Sequence, residues 1–152
     1  MKNLVLICAR GGSQGLPGKN IMPLKGIPLI GWSINTAKKL NNVSHIIVST
    51  DSPAIAKVAE KFGAEVPFIR PAHLSDNTSP EWPVWQHAIN FIEEHYGEDV
   101  YNLIVLPVTS PLRSVADVNA CVNLFEKSDV DSVITVSESY RSPYFNMTVN
   151  DK

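Results

Sequence analysis

Charge is scarce in this sequence: 18% of its 152 residues are Asp, Glu, Lys or Arg, and the formal net charge is −2. That leaves no basic footprint for nucleic acid, so no nucleic-acid partner is expected. There are two cysteines, Cys8 and Cys121. Both read as small buried hydrophobes, and nothing suggests the secreted setting a disulfide would favour. No apolar run is long enough to span a bilayer, so no membrane partner is expected. The start Met1–Ile7 has too short an apolar core for a signal peptide, which makes a cytoplasmic location the expectation. His45, His73, His87 and His95 lack metal-ligand spacing. Repeats, low-complexity tracts, linkers and a Gly-x-Ser-x-Gly nucleophile elbow are also missing.

What remains is 44% hydrophobic residues, enough in this length for one domain with a proper core. Five apolar runs read as strands: Leu4–Ile7, His45–Ser49, Glu65–Ile69, Asn102–Leu106 and Ser132–Val136. The fourth, apolar almost throughout, is expected to be central. Four helical patterns alternate with them. One spans Leu29–Leu40, after a turn at Pro23–Gly26. A second is capped by Ser52, starts at Pro53 and stops at Gly63. A third runs from Pro80 or Glu81 to Tyr96. A fourth begins at Ser114, which with Asp117 forms a capping box. This alternation predicts an α/β fold, three-layer α/β/α, with a mostly parallel, doubly wound Rossmann-like sheet. Ligands in such sheets lie beyond the carboxyl ends of the strands, and the chemistry should be sought there.

The first strand runs directly into Ala9-Arg10-Gly11-Gly12-Ser13-Gln14-Gly15-Leu16-Pro17-Gly18-Lys19-Asn20. Glycines just after a buried strand let a backbone approach a ligand and expose its N–H groups. With Arg10 and Lys19 at its two ends, the loop points to a polyphosphate; the alternative is an ordinary glycine-rich connection. A P-loop is ruled out because Asn20 follows Gly18-Lys19, and Ser13 holds the first glycine's position. The dinucleotide fingerprint fails on the glycine spacing and on Pro17, which interrupts any helix beginning after Gly15.

Other candidate positions follow later strands. Asp51 either holds a ribose hydroxyl or a magnesium ion, or simply favours the helix start behind it. Arg70, held extended before Pro71, is placed either to clamp a phosphate or carboxylate or to form a surface ion pair. The hydroxyl-rich segment Leu74–Pro80 leads into the third helix, whose N-terminus is a candidate anion site. In Pro107-Val108-Thr109-Ser110-Pro111-Leu112-Arg113, two prolines flank two hydroxyls, which suggests a rigid ligand-facing loop. Trp82 and Trp85 read as helix packing.

Taken together, Ala9–Ser13 with Gly15–Asn20, Val48-Ser49-Thr50-Asp51, Arg70-Pro71 and Thr109–Arg113 resemble the cytidylyltransferases that activate nine-carbon acidic sugars, the acylneuraminate (CMP-sialic acid) cytidylyltransferases. The resemblance implies a sheet of the sugar nucleotidyltransferase type and a reaction in which a sugar hydroxyl attacks the α-phosphorus of CTP. Pyrophosphate leaves, with Mg²⁺ assisting. By the same matching, Ala9, Arg10, Gly11, Gly12, Ser13, Gln14, Gly15, Lys19, Asn20, Arg70 and Ser79 bind the nucleotide. Arg10 and Lys19 carry the catalysis, and Thr109, Ser110 and Arg113 border the sugar. The implied partners are CTP and an acidic sugar, with a homodimer for the full-length family. Gln14 stands where the family commonly has lysine, and Pro107-Val108 where it usually has Gln-Pro. The family also continues past 152 residues, into a dimerisation segment and metal-binding aspartates that nothing here matches. The expectation is therefore one nucleotidyltransferase domain over residues 1–152 without the family's C-terminal portion. The alternatives are a nucleotidyltransferase for another sugar acid, such as the eight-carbon acid of lipopolysaccharide (KDO), or a nucleotide-binding module without turnover.

Overall fold

Residues 3–136 are described by a computed structural model of the chain. Strand β1, Asn3–Cys8, is central. Its side chains alternate between two apolar faces, with Val5 and Ile7 on one and Leu4 and Leu6 on the other, all at 2% exposure or less. Burying each such side chain contributes about 1.5–3 kcal/mol, so this strand anchors both layers.

The chain then forms a small antiparallel hairpin, β2 (Pro23–Leu24) and β3 (Ile27–Pro28). Its two turn residues, Lys25 and Gly26, have φ of 49° and 83°, the positive pair a type I′ hairpin turn requires. Helix α1, Leu29–Ala37, follows and stops three residues before the expected end. Its last turn tightens instead, as Lys39 and Leu40 donate to Thr36 and Ala37. Strand β4, Val43–Ser49, pairs parallel with β1. Helix α2, Pro53–Lys61, is capped by Ser52, whose hydroxyl accepts the Ile55 N–H. Helices α1 and α2 lie close at Gly31, where a Cβ would come within 2.7 Å of the Phe62 ring. Helix α3 is Glu81–Tyr96, β5 is Asn102–Val105, and α4 is Val115–Lys127 with the Ser114–Asp117 capping box fully formed.

The sheet order is β4-β1-β5, all parallel. Helices α1, α2 and α4 pack on the Val5/Ile7 face, and α3 packs on the Leu4/Leu6 face. The three-layer α/β/α expectation therefore holds, with a shorter sheet. The expected third strand is reduced to one bridge, Glu65 to Ile47. Glu65 exchanges two backbone bonds with β4, but Pro67 then has no N–H with which to continue the ladder. Ser132–Val136 forms no strand: it pairs with no described segment, and Ile134 and Val136 are exposed. Strand β5, expected to be central, is an edge of the described sheet, because β1 occupies the middle. No helix among the described residues is long and apolar enough to cross a membrane.

Buried Asn3 ties the amino ends of the sheet together. Its carboxamide oxygen accepts from Asn102 at 3.0 Å, and its backbone N–H donates to Asn42 at 2.7 Å. The opposite, carboxyl ends are left to loops.

Candidate functional site

Those loops enclose a cleft of about 410 Å³ beyond the carboxyl ends of β1 and β5. The loop after β1 supplies Arg10, Ser13, Gln14, Gly15, Lys19 and Asn20 to its wall. Three bonds hold the loop in place. Asn20, 6% exposed, donates from its carboxamide to the Arg10 carbonyl at 2.9 Å. The Gly11 N–H donates to Asp51 Oδ1 at 2.8 Å, and Arg10 Nη1 donates to the Asp76 carbonyl at 2.8 Å. Gly11 cannot be larger without movement, since a Cβ there would stand 3.1 Å from that of Ser52. Gly18, at φ 68°, then turns the chain into a single 3-10 turn, Lys19–Ile21. Among the described residues the N–H groups of Gly12, Gln14 and Gly15 have no backbone partner, as an anion-binding concavity requires.

The facing wall is built on Arg70. It is 6% exposed, its Nε donates to Ser49 Oγ at 3.0 Å, and its Nη2 donates to the Ser49 carbonyl. Burial lowers its pKa from the usual arginine value, partly offset by the nearby Cys8, Asp51 and Glu81. An arginine committed to a strand end in this way is no surface ion pair, and two of its donors are already used. Ser79 also lines the cleft, with its hydroxyl proton given to the His73 carbonyl at 3.0 Å. Cys8 faces the same space, and burial pushes its thiol up to about 11. It is therefore a neutral thiol at ordinary pH, with little nucleophilic character.

The loop after β5 divides. Pro107, Val108 and Thr109 line the cleft, whereas Ser110 and Arg113 do not. Arg113 Nη2 donates to the Pro107 carbonyl, which also accepts from Ser33 Oγ at 3.4 Å and the Ser110 N–H at 3.4 Å. Arg113 thus braces the loop from behind, and burial lowers its pKa from the usual arginine value.

Some expectations change here. Asp51 does not line the cleft; its carboxylate serves the Gly11 N–H and so positions the loop. At the start of α3 no side chain caps the helix, the cap residue being Pro80, and the first turn carries the carboxylate of Glu81 on the cleft wall. Ala9, Gly11 and Gly12 shape the loop without lining the cleft. Asp76 and Asn77, from the expected Leu74–Pro80 segment, are on the cleft wall, and the polar residue there that pattern reasoning passed over is Glu81. A helix beginning at Glu81 directly after a cleft-lining hydroxyl segment was the available signal.

Three cations (Arg10, Lys19 and Arg70) and two carboxylates (Asp76 and Glu81) thus face one pocket at the carboxyl edge of a parallel sheet. That is where an open α/β sheet of this kind binds its ligands. The chain belongs to the cytidylyltransferase family, whose model matches residues 4–147. It is 42% identical over 144 residues to post-translational flagellin modification protein B of Campylobacter coli, covering 95% of this chain and 61% of that protein. It is 41% identical over 144 residues, with the same coverages, to CMP-N,N′-diacetyllegionaminic acid synthase of Campylobacter jejuni. The chain thus spans 61% of the length of both of these curated relatives. Among solved structures, CMP:2-keto-3-deoxy-manno-octonic acid synthetase complexed with CTP aligns with a TM-score of 0.64 at 23% identity, covering 84% of this chain and 48% of that one. That likeness is one of fold.

Proposed function

We propose that the chain forms the nucleotide-binding part of an enzyme that transfers CMP from CTP to sialic acid or a related nonulosonic acid, releasing pyrophosphate. The observation that carries this reading is the braced glycine loop, with Arg10 and Lys19 on the wall of a cleft that also holds Arg70. The names of the legionaminic and pseudaminic acid relatives support the substrate class.

On this reading the triphosphate lies along Ser13–Gly15 and Lys19. A hydroxyl of the sugar attacks the α-phosphorus and gives up its proton to solvent, the bond to the bridging oxygen breaks, and charge grows on the departing pyrophosphate. Lys19, the free N–H groups of Arg10 and the loop amides would meet that charge where it develops, and donors aimed there lower such barriers most. Arg70 and Ser79 face the nucleoside, and Thr109 borders the sugar, with Ser110 and Arg113 holding its loop. A magnesium ion on the phosphates would look for carboxylates. Among the described residues no cluster of three His, Cys, Asp or Glu side chains could hold a metal ion, so no step is assigned to one. The homodimer and the acidic metal ligands implied by the resemblance belong, on this reading, to residues outside 3–136. The compartment is the cytoplasm, where nucleoside triphosphates are found.

The test is pyrophosphate release by the full chain from CTP and Mg²⁺ with a panel of nonulosonic acids and KDO. Release with a nonulosonic acid, abolished in Lys19→Ala, supports the reading. Release with KDO alone moves it to the other sugar class, and CTP binding without release leaves the chain a nucleotide-binding module.

A further inference from the structure

Two unlike sets of residues line the cleft. One is the glycine loop with Lys19. The other is Arg70, Ser79 and Glu81, with the apolar side chains of Cys8, Leu74 and Val84. A triphosphate requires the first set, which leaves the second for the base. The Glu81 carboxylate makes no hydrogen bond or ion pair among the described residues. It stands near enough to Arg70 and Cys8 for its charge to bear on both. The dipole of α3 explains why a carboxylate is tolerated in the first turn of the helix. It does not explain why that carboxylate lines a cleft meant for an anion.

The base edge supplies a reason. The pairing edge of cytosine offers two acceptors, O2 and N3, and one donor, the exocyclic N4 amine; carboxylates are its natural acceptors. Uracil reverses the last two, presenting an N3–H donor and an O4 acceptor. A wall with an arginine donor and an unpaired carboxylate complements cytosine and sets acceptor against acceptor for uracil. Resting on the nucleotide reading above, we infer that Glu81 accepts the exocyclic amine of the cytosine and is the residue that favours CTP over UTP.

Calorimetric titration of the full chain with CTP and with UTP, in the absence of sugar, tests this for the wild type and Glu81→Gln. Glu81 is exposed, so the variant keeps the fold. The wild type is expected to bind CTP about tenfold more tightly than UTP, the worth of one charge-assisted hydrogen bond. In Glu81→Gln, whose amide can donate to uracil O4, the ratio should fall to about threefold or less, mainly through tighter UTP binding. A CTP-to-UTP ratio unchanged in Glu81→Gln overturns the role of Glu81, while tight CTP binding would still uphold the nucleotide site. Failure of the wild type to bind either nucleotide overturns the nucleotide reading itself.

Discussion

The carboxylate of Asp51, two residues past the end of β4, accepts the backbone N–H of Gly11, three residues past the end of β1, at 2.8 Å. Two adjacent parallel strands are thereby locked together at the edge where the cleft opens. The bond fixes the glycine loop before any ligand arrives. Asp51→Ala should cost about 1–3 kcal/mol, because it leaves a part-buried N–H without its acceptor. Asp51→Asn keeps Oδ1 and loses only the charge, so it should recover at least half of that loss. Denaturant unfolding of the three proteins measures both. CTP affinity should fall in the same order, and equal affinity in all three would remove the loop from the binding site.

Gly11 is the counterpart of this restraint. A Cβ there would sit 3.1 Å from the Ser52 Cβ, whereas one at Gly12 would meet nothing within 4 Å. Gly11→Ala should therefore lower stability by about 1 kcal/mol or more, and Gly12→Ala should stay within about 0.5 kcal/mol of the parent. Ser52→Gly weakens the α2 cap by only a few tenths of a kcal/mol, yet it removes the opposing atom. Gly11→Ala should accordingly be cheaper in a Ser52→Gly background. A double-mutant cycle by chemical denaturation reads this coupling directly, and strict additivity would show that the contact yields freely.

The place of the loop that these residues hold was legible in the sequence, because an apolar run broken by glycines marks where a buried strand ends, and ligands of such sheets lie beyond that end. The face assignments of β1 and the caps at Ser52 and Ser114 were equally legible, since each rests on local chemistry. What local pattern did not show was where strands stop and which side chains are already occupied. Glu65–Ile69 has the composition of a strand, but Pro67 ends its ladder after the first bridge. Asp51, Arg70 and Arg113 are all chemically apt for ligands. Asp51 and Arg113 turn out to hold backbone, and Arg70 does so while also facing the cleft. Such commitments depend on tertiary distance, which no spacing along the chain encodes.

Arg113 illustrates the difference in a measurable way. It contacts the Pro107 carbonyl and does not line the cleft, so its effect should pass through the position of Thr109. Arg113→Ala should destabilise the fold by about 1–2 kcal/mol, through both the lost bond and the lost packing of the side chain. Turnover assays of the proposed reaction should show a raised KM for the sugar acid with CTP affinity unchanged. Arg113→Lys should restore little, because an ammonium lacks the planar fork. Weakened CTP binding in Arg113→Ala would instead place this arginine at the nucleotide.

Cys8 predicts a pH dependence. Burial raises its thiol from 9.0 to about 11, so the unfolded chain releases this proton at lower pH than the folded one does. The resulting stability is fully present below pH 9 and is lost as pH rises towards 11. Cys8→Ala should flatten that alkaline decline in denaturant midpoints measured from pH 8 to pH 11. Alkylation of Cys8 by iodoacetamide, followed by mass spectrometry, should be slow in the native protein at pH 8 and rapid after denaturation. Rapid native labelling at pH 8 would show that the thiol is ionised and the cleft floor wetter than this packing implies.

Lys19 and Gln14 test the charge of the loop itself. Both line the cleft, whereas Lys39 lies exposed just beyond α1. Lys19→Ala should weaken CTP binding about tenfold, the cost of removing one charged donor from a phosphate, and Lys39→Ala should leave it unchanged. Adding a cation tests the opposite direction. Gln14→Lys should tighten CTP binding by about twofold to fivefold, the range of a partly solvated ion pair, and the gain should shrink as salt is raised because the site is open to screening. The gain should also depend on phosphate number, being largest for CTP and smallest for CMP, if the outer phosphates lie on the loop as proposed. Equal gains for CMP and CTP would mean that the α-phosphate, which both carry, is the one at Gln14, and no gain with either would mean that the nucleotide lies reversed, with its phosphates towards Arg70.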